Sequence, residues 1–303
     1  MRCEHATSLV KGERVRAVIG DRVEIDLPDG HDCGIVCDIE PRRTQLVRKD
    51  PTERTLPQVL AANFDLVILA EPLAELNRKR LERALVLAHE TGADVAVVLT
   101  KADLADEELA QETLQHVQGI AGTSVPVLAL SADDIASVEC VRALITPGTV
   151  AVLVGKSGVG KSSLVNLLAG RDVREVGDVR ESDGKGRHTT VSRAMVALPG
   201  GGCVVDMPGI RGLGLWDADA GLGVAFEDVE GLASRCRFRD CTHDGEPGCA
   251  VRQAVADGTL APERLKSYRA LRNEVEQVRR RRDEARQLRG EKASDRRKKR
   301  KKQ

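Results

Sequence analysis

The stretch GKSGVGKSS, residues 155–163, decides the fold of this chain of 303 residues. It fits the pattern G-x-x-x-x-G-K-[ST] and lies between two apolar runs, VAVLV at 150–154 and SLVNLL at 163–168, which predict a strand and a helix. In that context the backbone N–H groups of the loop wrap around phosphates, and the helix directs the positive end of its dipole at them. The sequence therefore predicts a phosphate-binding loop in an α/β domain.

Within this loop, Lys161 is expected to reach the β- and γ-phosphates of a nucleotide, and the Ser162 hydroxyl is expected to bind Mg²⁺. Gly155 and Gly160 allow the backbone to follow the phosphates closely. The predicted phosphate-binding residues are Gly155, Lys156, Ser157, Gly158, Val159, Gly160, Lys161, Ser162 and Ser163.

Two downstream segments supply further candidates. The run CVVDMPG, residues 203–209, ends a strand in Asp206, whose carboxylate can hold Mg²⁺ through water, and the Gly209 amide can contact the γ-phosphate. Between this run and the loop lies GKGRHTT, residues 184–190, which is polar and rich in glycine. That composition is typical of a switch segment, in which the Thr190 hydroxyl joins Mg²⁺ when a γ-phosphate is present.

A base-reading motif lies upstream, in VVLTKAD at residues 97–103. Asp103 can accept hydrogen bonds from the N1–H and 2-amino groups of guanine, which adenine does not present, and Lys101 can lie along the base. Thr100 stands where GTPases usually carry Asn, so one side-chain amide contact is missing or replaced by a hydroxyl. The predicted guanine-binding residues are Thr100, Lys101, Ala102, Asp103, Ser131 and Ala132, the last two through the backbone amides of LALSADD.

The order of these motifs is unusual, because the base-reading motif precedes the phosphate loop and ordinary GTPases have the reverse order. Ligand-binding loops in parallel sheets all lie at the carboxyl ends of the strands, so cutting and rejoining the chain elsewhere preserves the pocket. The sequence predicts a circularly permuted P-loop GTPase domain with a parallel sheet, since buried strand patterns alternate with amphipathic helical patterns from Phe64 onward.

A small domain is predicted on each side of it. Short alternating runs in the first 50 residues indicate a shortened OB-like β-barrel, and helical patterns follow Trp216. There, Leu265, Tyr268, Leu271, Val275 and Val278 form one apolar stripe. The expected domains are the barrel at 1–55, the GTPase domain at 56–222, a zinc-binding domain with a helix at 223–278 and a basic tail at 279–303.

The zinc prediction rests on CRFRDCTHDGEPGC, which supplies four soft ligands within fourteen residues. Three thiolates and one imidazole suit a tetrahedral structural Zn²⁺ with no open position for catalysis. Cys33, Cys37 and His31 lie in a β-pattern and are interpreted as barrel residues rather than ligands. The predicted zinc ligands are Cys236, Cys241, His243 and Cys249.

Charge is distributed unevenly, although the formal net charge is zero. From Lys266 to Gln303 there are 17 Lys or Arg residues and 6 Asp or Glu residues. This basic end is typical of a segment that binds polyanions such as nucleic acid, although a solvated tail that only aids solubility has the same composition. The N-terminus resembles no signal peptide and no apolar run could span a membrane, so we expect a cytoplasmic protein.

Together, TKAD, SA, GKSGVGKSS, GRHTT, DMPG and CRFRDCTHDGEPGC resemble the motifs of the circularly permuted ribosome-assembly GTPases of the RsgA (YjeQ) family. The resemblance extends to IGDRVEID and QVLAANFD near the start, where the chain begins one or two strands into the family's OB-fold. It implies a monomer that binds GTP and GDP with Mg²⁺ and carries one structural Zn²⁺. It further implies GTP hydrolysis stimulated by the small ribosomal subunit and its rRNA, late in subunit maturation.

The resemblance also implies catalytic roles for His188, which positions the attacking water, and for Lys161 and Thr190. Two other functions fit parts of the pattern. A nucleotide-regulated RNA-binding module would have negligible turnover, and a P-loop kinase would need an acceptor site, for which the sequence offers no motif. Turnover of GTP with and without small subunits distinguishes the first of these from a GTPase.

Overall fold

The computed structural model describes residues 2–6, 16–30, 33–49, 57–173, 194–207 and 214–300. The chain forms two compact units. The first unit comprises Met1–Val47, Val59–Leu81 and Thr91–Arg211, and the second comprises Arg48–Gln58, Glu82–Glu90 and Gly212–Gln303. Among the described residues, no helix combines the length and the apolar character that crossing a membrane requires.

The N-terminal strands lie where the sequence predicts a shortened OB-like barrel. The residues Pro28, Asp29 and Gly30 predict a turn, and they separate two antiparallel strands, with Gly30 at the positive φ of 79° that such turns favour. Up to Ala62, the described residues contain five strands. They are β1 (Arg2–His5), β2 (Val23–Asp26) and β3 (Cys33–Ile39), in the order β1-β3-β2, with a separate pair of β4 (Gln45–Lys49) and β5 (Pro57–Ala62).

A six-stranded sheet forms the centre of the first unit, in the order β10-β11-β9-β6-β7-β8. All of its strands are parallel except β10, which pairs antiparallel with β11 at one edge. The buried runs FDLVILA, ADVAVVLT, VPVLAL, VAVLV and CVVDM each predict a strand, and all five predictions are confirmed. The strands are β6 (Leu66–Pro72), β7 (Asp94–Thr100), β8 (Val127–Ala129), β9 (Val150–Val154), β10 (Ala194–Ala197) and β11 (Cys203–Asp206).

Helices connect these strands and cover the sheet. The carboxylates of Asp106 and Asp134 cap two of them by accepting hydrogen bonds from Leu109 and Ala136. The apolar core on one face of the sheet includes Ile68, Val98, Leu153 and Leu164, each fully buried. The helices are α1 (Arg78–Glu90), α2 (Glu107–Ala121), α3 (Ile135–Arg142) and α4 (Lys161–Ala169).

The sheet order shows the permutation directly. Strand β9, which leads into the phosphate loop, lies between β11 and β6, although β6, β7 and β8 all precede it along the chain. The helix α3 therefore connects the strand at one edge, β8, with a strand at the centre of the sheet. This arrangement confirms the predicted fold class, a circularly permuted α/β domain with a parallel sheet.

The second unit is mainly helical. Its long helix buries the predicted apolar stripe, in which Tyr268 is 0% exposed. The helix also extends through Arg300, beyond the end of the stripe, because the basic segment is rich in Arg, Lys, Glu and Ala, all of which favour helix. The helices are α5 (Asp219–Ala225), α6 (Glu227–Ala233), α7 (Ala250–Ala256) and α8 (Pro262–Arg300).

A buried arginine holds α8 in this unit. The Arg264 guanidinium lies 3.1 Å from the Glu82 carboxylate and 3.0 Å from that of Asp228, and it donates to the Ala225 carbonyl at 2.6 Å. It also stacks 4.0 Å above the ring of Phe226. Since Glu82 is fully buried, its charge depends on this ion pair and on the hydrogen bonds around it.

We expect the substitution Arg264→Leu to lower the free energy of unfolding of the second unit by about 3 kcal/mol, because it removes a buried charge partner of Glu82. Trp216 is the only tryptophan of the chain and lies in this unit, so its fluorescence during urea denaturation reports the effect. Arg280→Ala is the control. It breaks an exposed pair with Glu276 and should change stability by less than about 0.5 kcal/mol. Equal effects of the two substitutions would contradict the prediction.

Candidate functional site

The predicted phosphate loop connects β9 to α4, and its glycines are required by its geometry. Gly158 and Gly160 have φ angles of 84° and 99°, in the left-handed region that side chains disfavour. A Cβ atom on Gly155 would lie 2.5 Å from the carbonyl oxygen of Ala70, at the end of β6. The loop therefore packs directly against the neighbouring strand and keeps its backbone accessible to a ligand.

Lys161 lies inside this loop. Its ammonium group donates hydrogen bonds to the carbonyls of Gly155 at 2.9 Å and Lys156 at 3.0 Å, and the residue is 6% exposed. Burial lowers its pKa, while the nearby carboxylates of Asp206 and Glu71 act in the opposite direction. The structure thus places a cation at the centre of the loop, where a phosphate would bind.

Ser162 and Asp206 form the candidate magnesium site. The Ser162 hydroxyl lies 3.3 Å from one carboxylate oxygen of Asp206. The other oxygen, Oδ1, is buried and has no hydrogen-bond partner among the described residues. A hard cation with oxygen ligands satisfies such an atom, so these two residues fit Mg²⁺. Thr190, the third predicted ligand, lies outside the described residues.

The base-reading motif follows β7. Lys101 adopts the left-handed conformation, with a φ of 58°, and starts the short 3-10 helix Ala102–Leu104, which contains Asp103. The Ala102 N–H donates to the Leu130 carbonyl at 3.0 Å and so joins this motif to the loop of Ser131 and Ala132. The structure therefore brings the two predicted base-binding segments together.

The hydrogen bonds of the Ser131–Ala132 loop reduce the number of backbone N–H groups that can bind the base. The Ser131 N–H donates to the Ser137 hydroxyl at 3.2 Å, so it is engaged within its own loop. Ala132 is the remaining residue of the pair whose N–H can meet a guanine oxygen. Thr100, the departure from the usual Asn, is 2% exposed and donates its hydroxyl to the Val159 carbonyl of the phosphate loop at 2.6 Å.

Sequence reasoning missed an ion pair beside the loop. Glu71, near the end of β6, is 2% exposed, and the Arg80 Nε lies 3.0 Å from both of its carboxylate oxygens. The one signal in the sequence is an acidic residue at the end of the buried run LVILAEP. His188, Thr190 and Gly209 lie outside the described residues, so their predicted roles stay predictions.

The four predicted zinc ligands form a cluster in the second unit. Their ligand atoms all lie within 4.8 Å of one another. The Sγ atoms of Cys236 and Cys249 are 3.9 Å apart, and the Nδ1 of His243 lies 3.4 Å from the Cys249 Sγ and 3.7 Å from that of Cys236. Two thiolates on a tetrahedral zinc ion at about 2.3 Å are about 3.8 Å apart. The cluster therefore fits a zinc ion.

The local electrostatics bear on metal binding in two ways. Burial lowers the pKa of His243, which favours the neutral, metal-binding imidazole, whereas burial raises the pKa of Cys241 to about 12, so its thiolate form requires the positive charge of a metal ion. The Glu246 carboxylate accepts hydrogen bonds from the N–H groups of Thr242 and Asp244, at 2.8 and 2.9 Å. These bonds fix the turn in which His243 takes a positive φ of 60°.

We expect the purified protein to contain one zinc ion, and Cys241→Ser to lose most of it, because a hydroxyl is a poor replacement for a thiolate ligand. Metal analysis by mass spectrometry measures the loss. Cys140→Ser, at an exposed cysteine of α3, is the matched control and should retain the metal. Retention of zinc by Cys241→Ser would show that this thiol is not a ligand.

Comparison with known proteins identifies relatives of this chain. The sequence profile of the RsgA GTPase family matches residues 39–216. The chain is 47% identical over 239 residues to the small ribosomal subunit biogenesis GTPase RsgA of Streptomyces avermitilis, covering 78% of this chain and 64% of that protein. It is 41% identical over 260 residues to the protein of the same name from Methanosarcina acetivorans, covering 85% and 69%. The chain thus spans about two thirds of the length of these relatives.

Solved structures also resemble this chain. YjeQ from Thermotoga maritima is 26% identical and superposes with a TM-score of 0.64, over 90% of this chain and 89% of that one. YloQ, described as a circularly permuted GTPase, gives a TM-score of 0.60 at 23% identity, over 91% and 86%, and supports the fold. The resemblance drawn from the motifs is confirmed, and the chain belongs to the RsgA GTPase family.

Proposed function

We propose that this protein hydrolyses GTP to GDP and phosphate, and that the small ribosomal subunit stimulates the reaction late in the maturation of that subunit. One observation supports this proposal above the others. The base-reading motif and the phosphate loop lie together at one edge of the sheet, where the Thr100 hydroxyl donates a hydrogen bond to the Val159 carbonyl. The names of the relatives, which describe small ribosomal subunit biogenesis GTPases, supply the partner.

The geometry supports a binding mode for the nucleotide. Asp103 accepts hydrogen bonds from the guanine, and Ala132 donates its N–H to the guanine oxygen. The N–H groups of the phosphate loop surround the β-phosphate, and Lys161 turns from its loop carbonyls toward the phosphate oxygens. Ser162 and Asp206 would hold Mg²⁺, which would neutralise phosphate charge when bound.

In the reaction, a water oxygen bonds to the γ-phosphorus as the bond to the β–γ bridging oxygen breaks. The protons of the water pass to the phosphate product and solvent, and GDP leaves with its new negative charge on the former bridging oxygen. Lys161 stabilises this developing charge because it lies at the loop that holds the β-phosphate. We assign His188 to positioning the water and Thr190 to the magnesium ion, on the strength of the family resemblance. Both act from the predicted switch segment, residues 184–190.

The second unit is suited to an RNA partner. Arg235, Arg237 and Arg239 are exposed beside the zinc ligands, and none of them forms an ion pair with any residue that the structure describes. The basic end of α8 adds further positive charge along one helix. Such charges bind phosphates independently of sequence, which supports an rRNA partner. From the family resemblance we further propose that the protein acts in the cytoplasm as a monomer.

Steady-state GTP hydrolysis with and without purified small subunits tests the function. We expect a stimulation of at least about tenfold, which corresponds to about 1.4 kcal/mol of additional transition-state stabilisation. Lys161→Ala should abolish the stimulated rate. Tight GTP binding without any stimulated turnover would instead identify a nucleotide-regulated RNA-binding module.

The same assay examines His188. His188→Ala should lower the stimulated rate at saturating GTP and leave GTP affinity within about twofold, because a group that positions water acts mainly in the transition state. A loss of affinity with an unchanged rate would make His188 a binding residue.

Guanine selectivity provides a separate prediction. Asp103→Asn should weaken GTP binding by about a hundredfold and improve binding of xanthosine triphosphate, whose 2-oxo group accepts a hydrogen bond from an amide. Asp106→Asn is the matched control, since Asp106 only caps α2 and asparagine caps a helix equally well. Calorimetric titration with GTP, ATP and xanthosine triphosphate measures the three affinities. Equal affinity of the unaltered protein for ATP and GTP would contradict the assignment of Asp103.

A further inference from the structure

Thr100 belongs to the base-reading motif, and its side chain is buried against the phosphate loop. It is the last residue of β7, and its side chain lies within hydrogen-bonding distance of two carbonyl oxygens. Its Oγ1 is 2.6 Å from the Val159 oxygen in the phosphate loop and 3.3 Å from the Glu71 oxygen in β6. Val159 and Thr100 are 59 residues apart in the sequence, so this contact exists only in the folded chain.

The chemistry of a hydroxyl restricts what Thr100 can do. A hydroxyl has one proton to donate, and both of its neighbours here are carbonyl acceptors. The proton therefore goes to Val159, the shorter and stronger of the two contacts. An asparagine amide has two protons and can donate to a loop carbonyl and to the guanine N7 together, whereas Thr100 has no proton left for the base.

Gly160 of the phosphate loop also lies near this side chain. A Cβ atom added to Gly160 would come within 3.8 Å of the Cβ of Thr100 and 3.9 Å of its Oγ1. The carbonyl of Thr100 accepts a hydrogen bond from Leu73 at 2.9 Å, which fixes the end of β7 to the segment after β6. Thr100 therefore links the end of β7 to the phosphate loop and to the segment after β6.

We propose that Thr100 is a positioning residue, which holds the phosphate loop in its binding conformation, and that this protein recognises guanine without any contact to N7. Specificity then rests on Asp103 and the backbone of the Ser131–Ala132 loop. The inference rests on the proposed nucleotide binding and adds to it the way in which the base is read.

The proposal has a specific consequence for nucleotide affinity. If Thr100 holds the loop, its loss lowers the fraction of molecules whose loop is ready to bind a phosphate, and the apparent affinity falls by that fraction. This decrease in apparent affinity is then the same for every nucleoside diphosphate, whatever its base. If Thr100 reads the base, its loss changes the preference among bases instead.

Calorimetric titration of the full chain with GDP and 7-deaza-GDP separates these possibilities, because the second ligand lacks only the N7 acceptor. We expect the unaltered protein to bind both with dissociation constants within about twofold of each other. Thr100→Val, which has the same shape without the hydroxyl, should weaken both ligands by the same factor, about fivefold to tenfold for one buried hydrogen bond. Thr100→Ser restores the hydroxyl and should recover affinity to within about twofold.

Each alternative outcome has a clear meaning. A preference of the unaltered protein for GDP over 7-deaza-GDP of about fivefold or more, lost in Thr100→Val, would show that Thr100 reads N7 and would overturn the proposal. Unchanged affinity of a folded Thr100→Val would overturn it as well. The comparison of the two ligands needs no variant, so it holds even if Thr100→Val does not fold. Failure of the unaltered protein to bind GDP at all would refute the proposed function itself.

Discussion

In a parallel sheet, every strand ends at the same edge, and the rest of this molecule depends on that constraint. Strands β7 and β9 flank β6 and end at the same edge, so the motifs at their ends share one surface regardless of their order along the chain. The hydrogen bond from Thr100 to Val159 is the point at which the two segments touch. Permutation of the chain therefore changes the connections of the sheet and leaves its ligand-binding edge in place.

Features that depend on local sequence could be predicted. Buried parallel strands are continuous apolar runs, and a glycine-rich loop between such a strand and a helix has few alternatives, so β9, the loop and α4 follow from residues 150–169 alone. The zinc ligands are also local, because all four lie between Cys236 and Cys249 and the ion itself fixes their geometry. The stripe on α8 is equally visible, since a helix repeats every 3.6 residues.

Features that depend on distant partners could not be predicted. Strand β10 has one buried residue in four, and the antiparallel partner that defines it gives no signal in its own sequence. The partner of Arg264 is Glu82, 182 residues away, and nothing in the basic pattern of α8 distinguishes this arginine from its neighbours. From the sequence, Thr100 in place of the usual Asn predicts a missing or altered contact to the base. The hydrogen bond from its hydroxyl to the Val159 carbonyl is visible only in the folded chain.

The charges around the phosphate loop explain why its glycines matter so much. Lys161 is surrounded by two carboxylates, those of Asp206 and Glu71, and the Glu71 charge is in turn paired with Arg80. These side chains offer a polyphosphate little net positive charge, so much of the attraction must come from the loop N–H groups and the α4 dipole. Those groups act only if the backbone is held in the conformation that aims them at one point. The contacts of Gly155 with Ala70 in β6 and of Val159 with Thr100 in β7 impose that conformation.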